Sequence, residues 1–194
     1  QGQLGVAAAP VPCTQLSIAN YDSTFTQTTC ARSPVVVDTP VRFTTLASTL
    51  VATCGLDASG TTFCWGSNDW LDLGTGDMAP ADTVPTQLPG APAFKQLVGH
   101  DEGFCGLTSG GDIYCWGYVS QVVGLPPQAC TAFDDCTPNA TKVSAGRQFT
   151  SIAFTFGQLC GLSDGILYCW GGAYSDSAGD EIVITPTRVA GQSP

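Results

Sequence analysis

The sequence is poor in histidine and in basic residues. Its 194 residues include one histidine, His100, and six lysines and arginines against sixteen aspartates and glutamates, which gives a formal net charge of -10 at pH 7. This acid excess opposes the neutralisation of phosphates on which nucleic-acid binding depends. We therefore expect no nucleic-acid partner, and the charge mainly keeps the protein soluble.

Long apolar runs are also missing. No run approaches the ~18 apolar residues of a membrane-spanning helix, and the apolar stretch Val6–Val11 lacks the basic flank of a signal peptide. We expect no membrane span. Only 11% of the residues are charged, while glycine and proline number 23 and 13, a composition that resembles an extracellular β-rich protein.

The scarcity of histidine limits catalysis. Nucleophilic chemistry would need His100 as the base, and this residue is expected to be a surface or loop histidine because it is not a repeated element. No glycine-rich phosphate loop leads from a strand into a helix. We therefore expect a non-enzymatic protein.

Acidic residues are the remaining candidates for chemistry, since paired carboxylates hydrolyse glycosides and clustered ones bind calcium. None of them has EF-hand spacing, and they fall in predicted loops, where aspartate is common for turn formation. We expect no cofactor, with calcium as the alternative. The groups are Asp69, Asp72 and Asp77; Asp101 and Glu102; Asp134 and Asp135; and Asp176, Asp180 and Glu181.

Cysteine, in contrast, is abundant. The ten cysteines are even in number and include no CxxC pair, and the chain has a single histidine, so we expect no zinc site. We expect five disulfides formed in an oxidising compartment rather than buried free thiols. This expectation favours a secreted or cell-surface protein.

Six of the cysteines belong to a segment that occurs three times: Cys-Gly-Leu, a glycine-containing turn, and aromatic-Cys-Trp-Gly. The copies begin at Cys54, Cys105 and Cys160, which are 51 and 55 residues apart, a period typical of propellers or solenoids. A Phe-x-x-Leu/Ile segment precedes each copy and a Pro/Ala-Thr-x-Leu/Val segment follows it, so each unit offers about four short strands. These flanking segments begin at Phe43, Phe94 and Phe149, and at Pro85, Ala140 and Pro186.

Each cysteine segment has the pattern of a β-hairpin, because apolar strand formers flank a glycine-rich turn. Pairing Cys160 with Cys169 leaves Asp164-Gly165 as a two-residue loop suited to positive φ. Directly opposed residues of antiparallel strands lie within disulfide reach. The register therefore predicts the disulfides Cys54–Cys64, Cys105–Cys115 and Cys160–Cys169.

The same register makes two further predictions about the hairpins. An aromatic ring is expected to lie across the glycine opposite to it, which holds the register; the pairs are Phe63 and Gly55, Tyr114 and Gly106, and Tyr168 and Gly161. The tryptophans could suggest a sugar-stacking platform, but a residue that recurs once per unit is expected to pack between units. They are Trp65, Trp116 and Trp170.

Together these motifs resemble the regulator of chromosome condensation repeat, in the secreted bacterial variety in which a cysteine pair accompanies the motif. Gly2-Gln3-Leu4-Gly5 is similar to the Gly-Gln-Leu-Gly that follows Trp-Gly in that family, and Leu73-Gly74-Thr75-Gly76 is a weaker counterpart. The resemblance covers residues 43–190 well and residues 1–42 only at their two ends. It implies an all-β fold, a β-propeller with blades of about four antiparallel strands.

The family usually has seven blades, so this chain corresponds to a partial or small propeller with three full blades and part of a fourth. We expect a single domain over residues 1–194, with a partial blade at 1–42 and blades at 43–92, 93–146 and 147–194. The first segment matches the second half of a blade, with an insertion closed by Cys13–Cys30 and a final strand at Val35–Val37. The second unit has the same layout, with Cys130–Cys136 in its insertion.

This layout leaves blade edges that need a partner. Three explanations remain open: the chain is a piece of a longer propeller, the 42-residue segment forms an unusual fourth blade that closes a small ring, or neighbouring copies complete the open edges.

The functional expectation is a structural module for protein–protein association, with copies of itself or other extracellular proteins, that assembles into an oligomer or filament. The alternative is a soluble binding module that recognises a protein or glycan with its loops, like the propeller-shaped β-lactamase inhibitors that share the repeat. The family's nucleotide-exchange role on a small GTPase belongs inside cells, where disulfides are rare, and is not carried over. Asn139-Ala140-Thr141 is a candidate N-glycosylation acceptor.

Overall fold

The structure, a computed structural model, describes residues 11–19, 22–31, 33–76, 81–101, 103–119, 123, 125, 128–130, 133–144, 146–155, 157–172 and 183–192. For residues 11–19, 22–30, 128–130, 133–135 and 183–184 it describes the backbone alone. The fold is all-β. None of the helices in these ranges is long and apolar enough to cross a membrane.

Fifteen strands in these ranges form four antiparallel sheets. The first is the hairpin β1 (Val11–Ala19) and β2 (Asp22–Cys30). Blade 1 contains β3 (Phe43–Ser48), β4 (Ala52–Asp57), β5 (Thr62–Gly66) and β6 (Asp82–Gln87). Blade 2 contains β7 (Phe94–His100), β8 (Gly103–Thr108), β9 (Ile113–Gly117) and β11 (Phe133–Lys142), with the short β10 (Gln128–Cys130) at its edge. Blade 3 contains β12 (Ser151–Thr155), β13 (Gln158–Ser163), β14 (Ile166–Gly171) and β15 (Val183–Arg188).

The three blades lie side by side as in a β-propeller. In each blade the four main strands follow the chain order across the sheet, and in blade 2 the short β10 lies beyond β11. β7 packs against β3 on one side and β12 on the other. The first strands of the blades are therefore neighbours, and the other three main strands of each blade lie successively further out. The described residues form two apolar core clusters, one between blades 1 and 2 and one between blades 2 and 3.

The central hairpin of each blade has the register that the cysteine spacing predicts. Cys54 lies opposite Cys64, and the equivalent pairs in blades 2 and 3 have the same register. The Cα atoms of each pair are 4.1 Å apart, and the structure contains all three disulfides: Cys54–Cys64, Cys105–Cys115 and Cys160–Cys169. Asp164 and Gly165 form the third turn with φ of 52° and 75°, as a two-residue hairpin loop requires.

The residue that covers each hairpin glycine differs from the prediction. A Cβ atom on Gly55 would lie 2.6 Å from the ring of Phe43, the first residue of β3, rather than against the opposed Phe63. Phe63 instead packs edge-on against Phe43, with ring centroids 6.2 Å apart. The glycine is needed because the phenylalanine from the adjacent strand fills the space of its missing side chain. The same holds for Gly106 beneath Phe94 and Gly161 beneath Phe149.

The predicted strand at Val35–Val37 is not formed. These residues have no regular secondary structure, and Val36 is 90% exposed. Two prolines flank the segment, Pro34 and Pro40, and neither can donate a ladder hydrogen bond. The described part of the chain also provides no strand that pairs with it.

The remaining predicted disulfides fall partly outside the described side chains. Cys136 is disulfide-bonded, while the side chain of Cys130 lies outside those ranges. The side chains of Cys13 and Cys30 also lie outside those ranges. In the backbone register of β1 and β2, Cys30 lies opposite Val11 and Cys13 lies opposite Thr28.

Candidate association surfaces

Each blade has two different faces, because successive side chains of a strand point to opposite sides of the sheet. We call one the tryptophan face; in blade 1 it carries Phe43, Leu46 and Trp65. We call the other the disulfide face; in blade 1 it carries Leu56 and the Cys54–Cys64 disulfide. The repeat places the equivalent residues on the same faces of blades 2 and 3.

Within the chain, the tryptophan face of one blade covers the disulfide face of the preceding blade. Phe94, Leu97 and Trp116 of blade 2 share a buried cluster with Leu56 and the Cys54–Cys64 disulfide of blade 1. The interface between blades 2 and 3 repeats this arrangement. Its buried residues include Cys105, Leu107 and Cys115 from blade 2, and Phe149, Ile152 and Trp170 from blade 3.

Hydrogen bonds accompany this packing. The Phe94 amide donates to the carbonyl of Gly60, in the hairpin turn of blade 1, over 2.9 Å, and the Phe149 amide donates to the carbonyl of Gly111 in blade 2 over 2.8 Å. Trp116 is fully buried, and its Nε1 donates to the carbonyl of Asp72 in blade 1 over 3.0 Å. Both interfaces therefore contain the same backbone hydrogen bond in addition to the packed apolar side chains.

The tryptophan face of blade 1 has an exposed inner end. Leu46 is 61% exposed, whereas its equivalents Leu97 and Ile152 are 5% and 3% exposed. Trp65 is buried, and its ring stacks on Phe43 with centroids 5.5 Å apart. The open part of this face is therefore the region around Leu46.

The disulfide face of blade 3 is open in a matching way. Leu162 is 39% exposed, whereas its equivalents Leu56 and Leu107 are 2% and 0% exposed. No described residue has an atom within 4 Å of a Cβ atom built on Gly165, while a Cβ atom on its equivalent Gly60 would lie 2.5 Å from the Phe94 carbonyl oxygen. Among the described residues, the Gly165 carbonyl accepts no hydrogen bond of the kind that Gly60 and Gly111 accept.

A second surface lies where the first turns of the three blades meet. It is a groove of about 430 Å³ lined by residues that include Leu50, His100, Asp101 and Phe154. The sequence predicts a surface or loop histidine at this position; His100 is the last residue of β7, and its side chain is 14% exposed. Its Nε2 accepts a hydrogen bond from the Gly157 amide over 3.3 Å, and its ring packs on Phe154 with centroids 5.1 Å apart. His100 thus joins blade 2 to blade 3.

The acidic candidates do not converge in the part of the chain that the structure describes. Asp69 accepts a hydrogen bond from the Ser67 hydroxyl, Asp72 is buried, and Asp101 is exposed beside His100. No three His, Cys, Asp or Glu side chains within those ranges are grouped so as to hold a metal ion. The candidates outside them are Asp77, Glu102, Asp176, Asp180 and Glu181, together with the side chains of Asp134 and Asp135.

Asn139 is exposed on β11. Its side chain lies beside Gly76 of blade 1, where a Cβ atom would be 2.9 Å from Asn139 Oδ1. Glycosylation at this position stays a prediction.

Sequence reasoning did not find the exposed leucines or the polar link between blades 2 and 3. Leu46 and Leu162 match their buried equivalents in type, so the pattern carries no signal of their exposure. Gln96, which hydrogen-bonds to the backbone of Ile152, stands where blades 1 and 3 have Thr45 and Ser151. Because Gln96 departs from the repeat, its position was the one sequence signal of this link between blades 2 and 3.

No protein-family model matches this chain, and no curated protein matches it significantly. Solved structures do match. The chain is 20% identical to Prp20p of Saccharomyces cerevisiae, with a TM-score of 0.61 over 75% of this chain and 38% of that one. Human WBSCR16 is 14% identical, with a TM-score of 0.60 over 88% of this chain and 41% of that one.

A structure of Kap60 bound to yeast RCC1 (Prp20) also matches, with 19% identity and a TM-score of 0.60 over 75% of this chain and 36% of that one. The chain therefore spans less than half the length of each of these three structures. At these identities the likeness shows the fold, which is a small or partial β-propeller of the RCC1 type with three full blades and part of a fourth.

Proposed function

We propose that this protein is a non-enzymatic extracellular or cell-surface module that associates with proteins, and with copies of itself in particular, to build a larger oligomer or filament. The observation that carries the proposal is the pair of open blade faces, marked by Leu46 and Leu162, whose equivalents are buried inside the chain. Apolar side chains that are exposed on a face, when the same face is buried in other blades, favour a protein partner.

Two further observations support the proposal. The three disulfides favour an oxidising compartment, which fits an extracellular location. Among the proteins of similar structure, Prp20p binds Gsp1p and histones, and yeast RCC1 has been solved bound to Kap60. A propeller of this type therefore provides a platform for protein partners, and we infer the same use here.

The native mass of the particle in solution tests the proposal. We expect light scattering to give a particle larger than the 20.0 kDa chain. The net charge of -10 opposes self-association, so added salt should increase the mass by screening this repulsion. A monomer at all protein and salt concentrations would contradict self-assembly.

A second candidate function is recognition of a protein or glycan ligand by the turns of the blades. The groove beside His100 favours this second function. Leu50 is 73% exposed there, and the ring of Phe154 and the carboxylate of Asp101 line the same groove. A monomer that binds a glycan or protein array, and loses this binding when Leu50 is replaced by aspartate, would favour this candidate over assembly.

A further inference from the structure

The open faces of blades 1 and 3 are of two different types. The first is a tryptophan face and the second is a disulfide face, and these two faces pack on each other at both interfaces inside the chain. Blade 1 exposes Leu46, whose equivalents Leu97 and Ile152 are buried in these interfaces. Blade 3 exposes Leu162, whose equivalents Leu56 and Leu107 are buried on the other side of the same interfaces.

We propose that copies of this chain associate head to tail, with the tryptophan face of blade 1 in one copy packed on the disulfide face of blade 3 in the next. This inference rests on the proposed function and names both its partner and its contact. Leu46 would pack beside Leu162 and the Cys160–Cys169 disulfide. The Phe43 amide would donate a hydrogen bond to the Gly165 carbonyl, as Phe94 does to Gly60.

A second copy is the occupant that the structure favours over another protein. The two open faces are of complementary type and occur on the same chain, so every copy carries what the next one needs. No residue in the described part of the chain fills the space beside Gly165, whereas its equivalents Gly60 and Gly111 lie against the backbone of a phenylalanine. A contact between two different surfaces is heterologous, and it closes into a ring or continues as a filament.

Two substitutions test the contact, Leu46→Asp and Leu162→Asp. Each places a charge in the proposed interface, and an unpaired buried charge should weaken association roughly 100-fold or more. Both leucines are exposed within one chain, so folding should be preserved. Leu50→Asp is the matched control, because Leu50 is an exposed leucine outside both faces.

The mixture of the two variants provides the decisive measurement. Each variant alone has lost one half of every contact and should be monomeric. Mixed together, Leu162→Asp keeps an intact tryptophan face and Leu46→Asp keeps an intact disulfide face, so the mixture should form a 1:1 heterodimer and nothing larger. Native mass spectrometry resolves these species, and heterodimer formation also shows that both variants are folded.

The other outcomes separate this inference from the proposed function. If the unmodified chain is monomeric, self-assembly and this contact are both wrong. If the unmodified chain is oligomeric and either variant remains so, self-assembly stands and the head-to-tail contact is wrong. The contact is also wrong if the mixed variants do not pair, or if Leu50→Asp dissociates the oligomer as well.

Discussion

The side chain of Gln96 forms two hydrogen bonds with the backbone of Ile152 on the neighbouring blade. Gln96 Nε2 donates to the Ile152 carbonyl over 2.7 Å, and Gln96 Oε1 accepts from the Ile152 amide over 3.1 Å. β12 is an edge strand of its sheet, so no other described strand provides a ladder partner for these backbone groups. Gln96 therefore acts as a short substitute for a neighbouring strand.

Replacing Gln96 by alanine should destabilise the protein, because the partly buried amide and carbonyl of Ile152 lose their partners. We expect a fall of about 1–3 kcal/mol in the free energy of unfolding, measured by urea denaturation. Gln87→Ala is the matched control, since Gln87 is an exposed glutamine on β6. Equal effects of the two substitutions would contradict the role of Gln96.

Gly106 should not tolerate a side chain. A Cβ atom at this position would lie 2.6 Å from the ring of Phe94, which is itself buried between blades 1 and 2. Overpacking of this kind costs about 1–3 kcal/mol, so Gly106→Ala should lower the midpoint of thermal unfolding. Gly110→Ala serves for comparison, because its Cβ atom would have its nearest neighbour 3.8 Å away. Equal midpoints of thermal unfolding for Gly106→Ala and Gly110→Ala would contradict this prediction.

The Cys105–Cys115 disulfide should contribute measurable stability although the loop that it closes is short. Its cysteines are ten residues apart, for which the loss of chain entropy in the unfolded state corresponds to about 2–3 kcal/mol. Replacing both cysteines by alanine should lower the free energy of unfolding by this amount under non-reducing conditions. An unchanged denaturation midpoint would show that the hairpin is held by packing alone.

Asp57 should make the first hairpin turn sensitive to acid. Its Oδ1 accepts hydrogen bonds from the Ser59 hydroxyl and the amides of Ser59 and Thr61. The Ser59 hydroxyl is the main cause that lowers the pKa of Asp57 below its usual value. Because the pKa is lower in the folded state, the stabilisation is present above the unfolded-state pKa of about 3.9 and is lost as the pH falls through the folded-state pKa.

The measurement is the melting temperature of the unmodified protein and of Asp57→Ala across this acidic range. The unmodified protein should be more stable at neutral pH, and the difference should shrink as the carboxylate is protonated. Asp38→Ala, at an exposed position outside the turn, controls for the change in net charge. A difference that is independent of pH would assign the effect to something other than ionisation.

The hairpins could be predicted from sequence because their determinants are local. The cysteine spacing and the turn residues together allow one register, and the structure has it in all three blades. The cover of Gly55 was predicted wrongly because the ring comes from Phe43, on a different strand from the opposed residue. A register identifies the residue directly opposite, but it does not identify which ring fills the space.

Exposure could not be predicted from the repeat. Leu56, Leu107 and Leu162 occupy the same place in the motif, yet the third is open to solvent because none of the described blades packs on it. The burial of such a residue depends on the next blade rather than on its own strand. The open faces could therefore be identified only from the packing of the blades.

Each hairpin disulfide joins two strands of one blade and never crosses to another. A unit of this kind carries its own covalent cross-link, so a tandem gene duplication would add a blade without creating a new pairing problem for oxidative folding. In an oxidising environment, each hairpin can form its disulfide correctly as soon as its two strands have met. The number of blades is therefore free to change in evolution while the disulfide pattern of every existing blade stays the same.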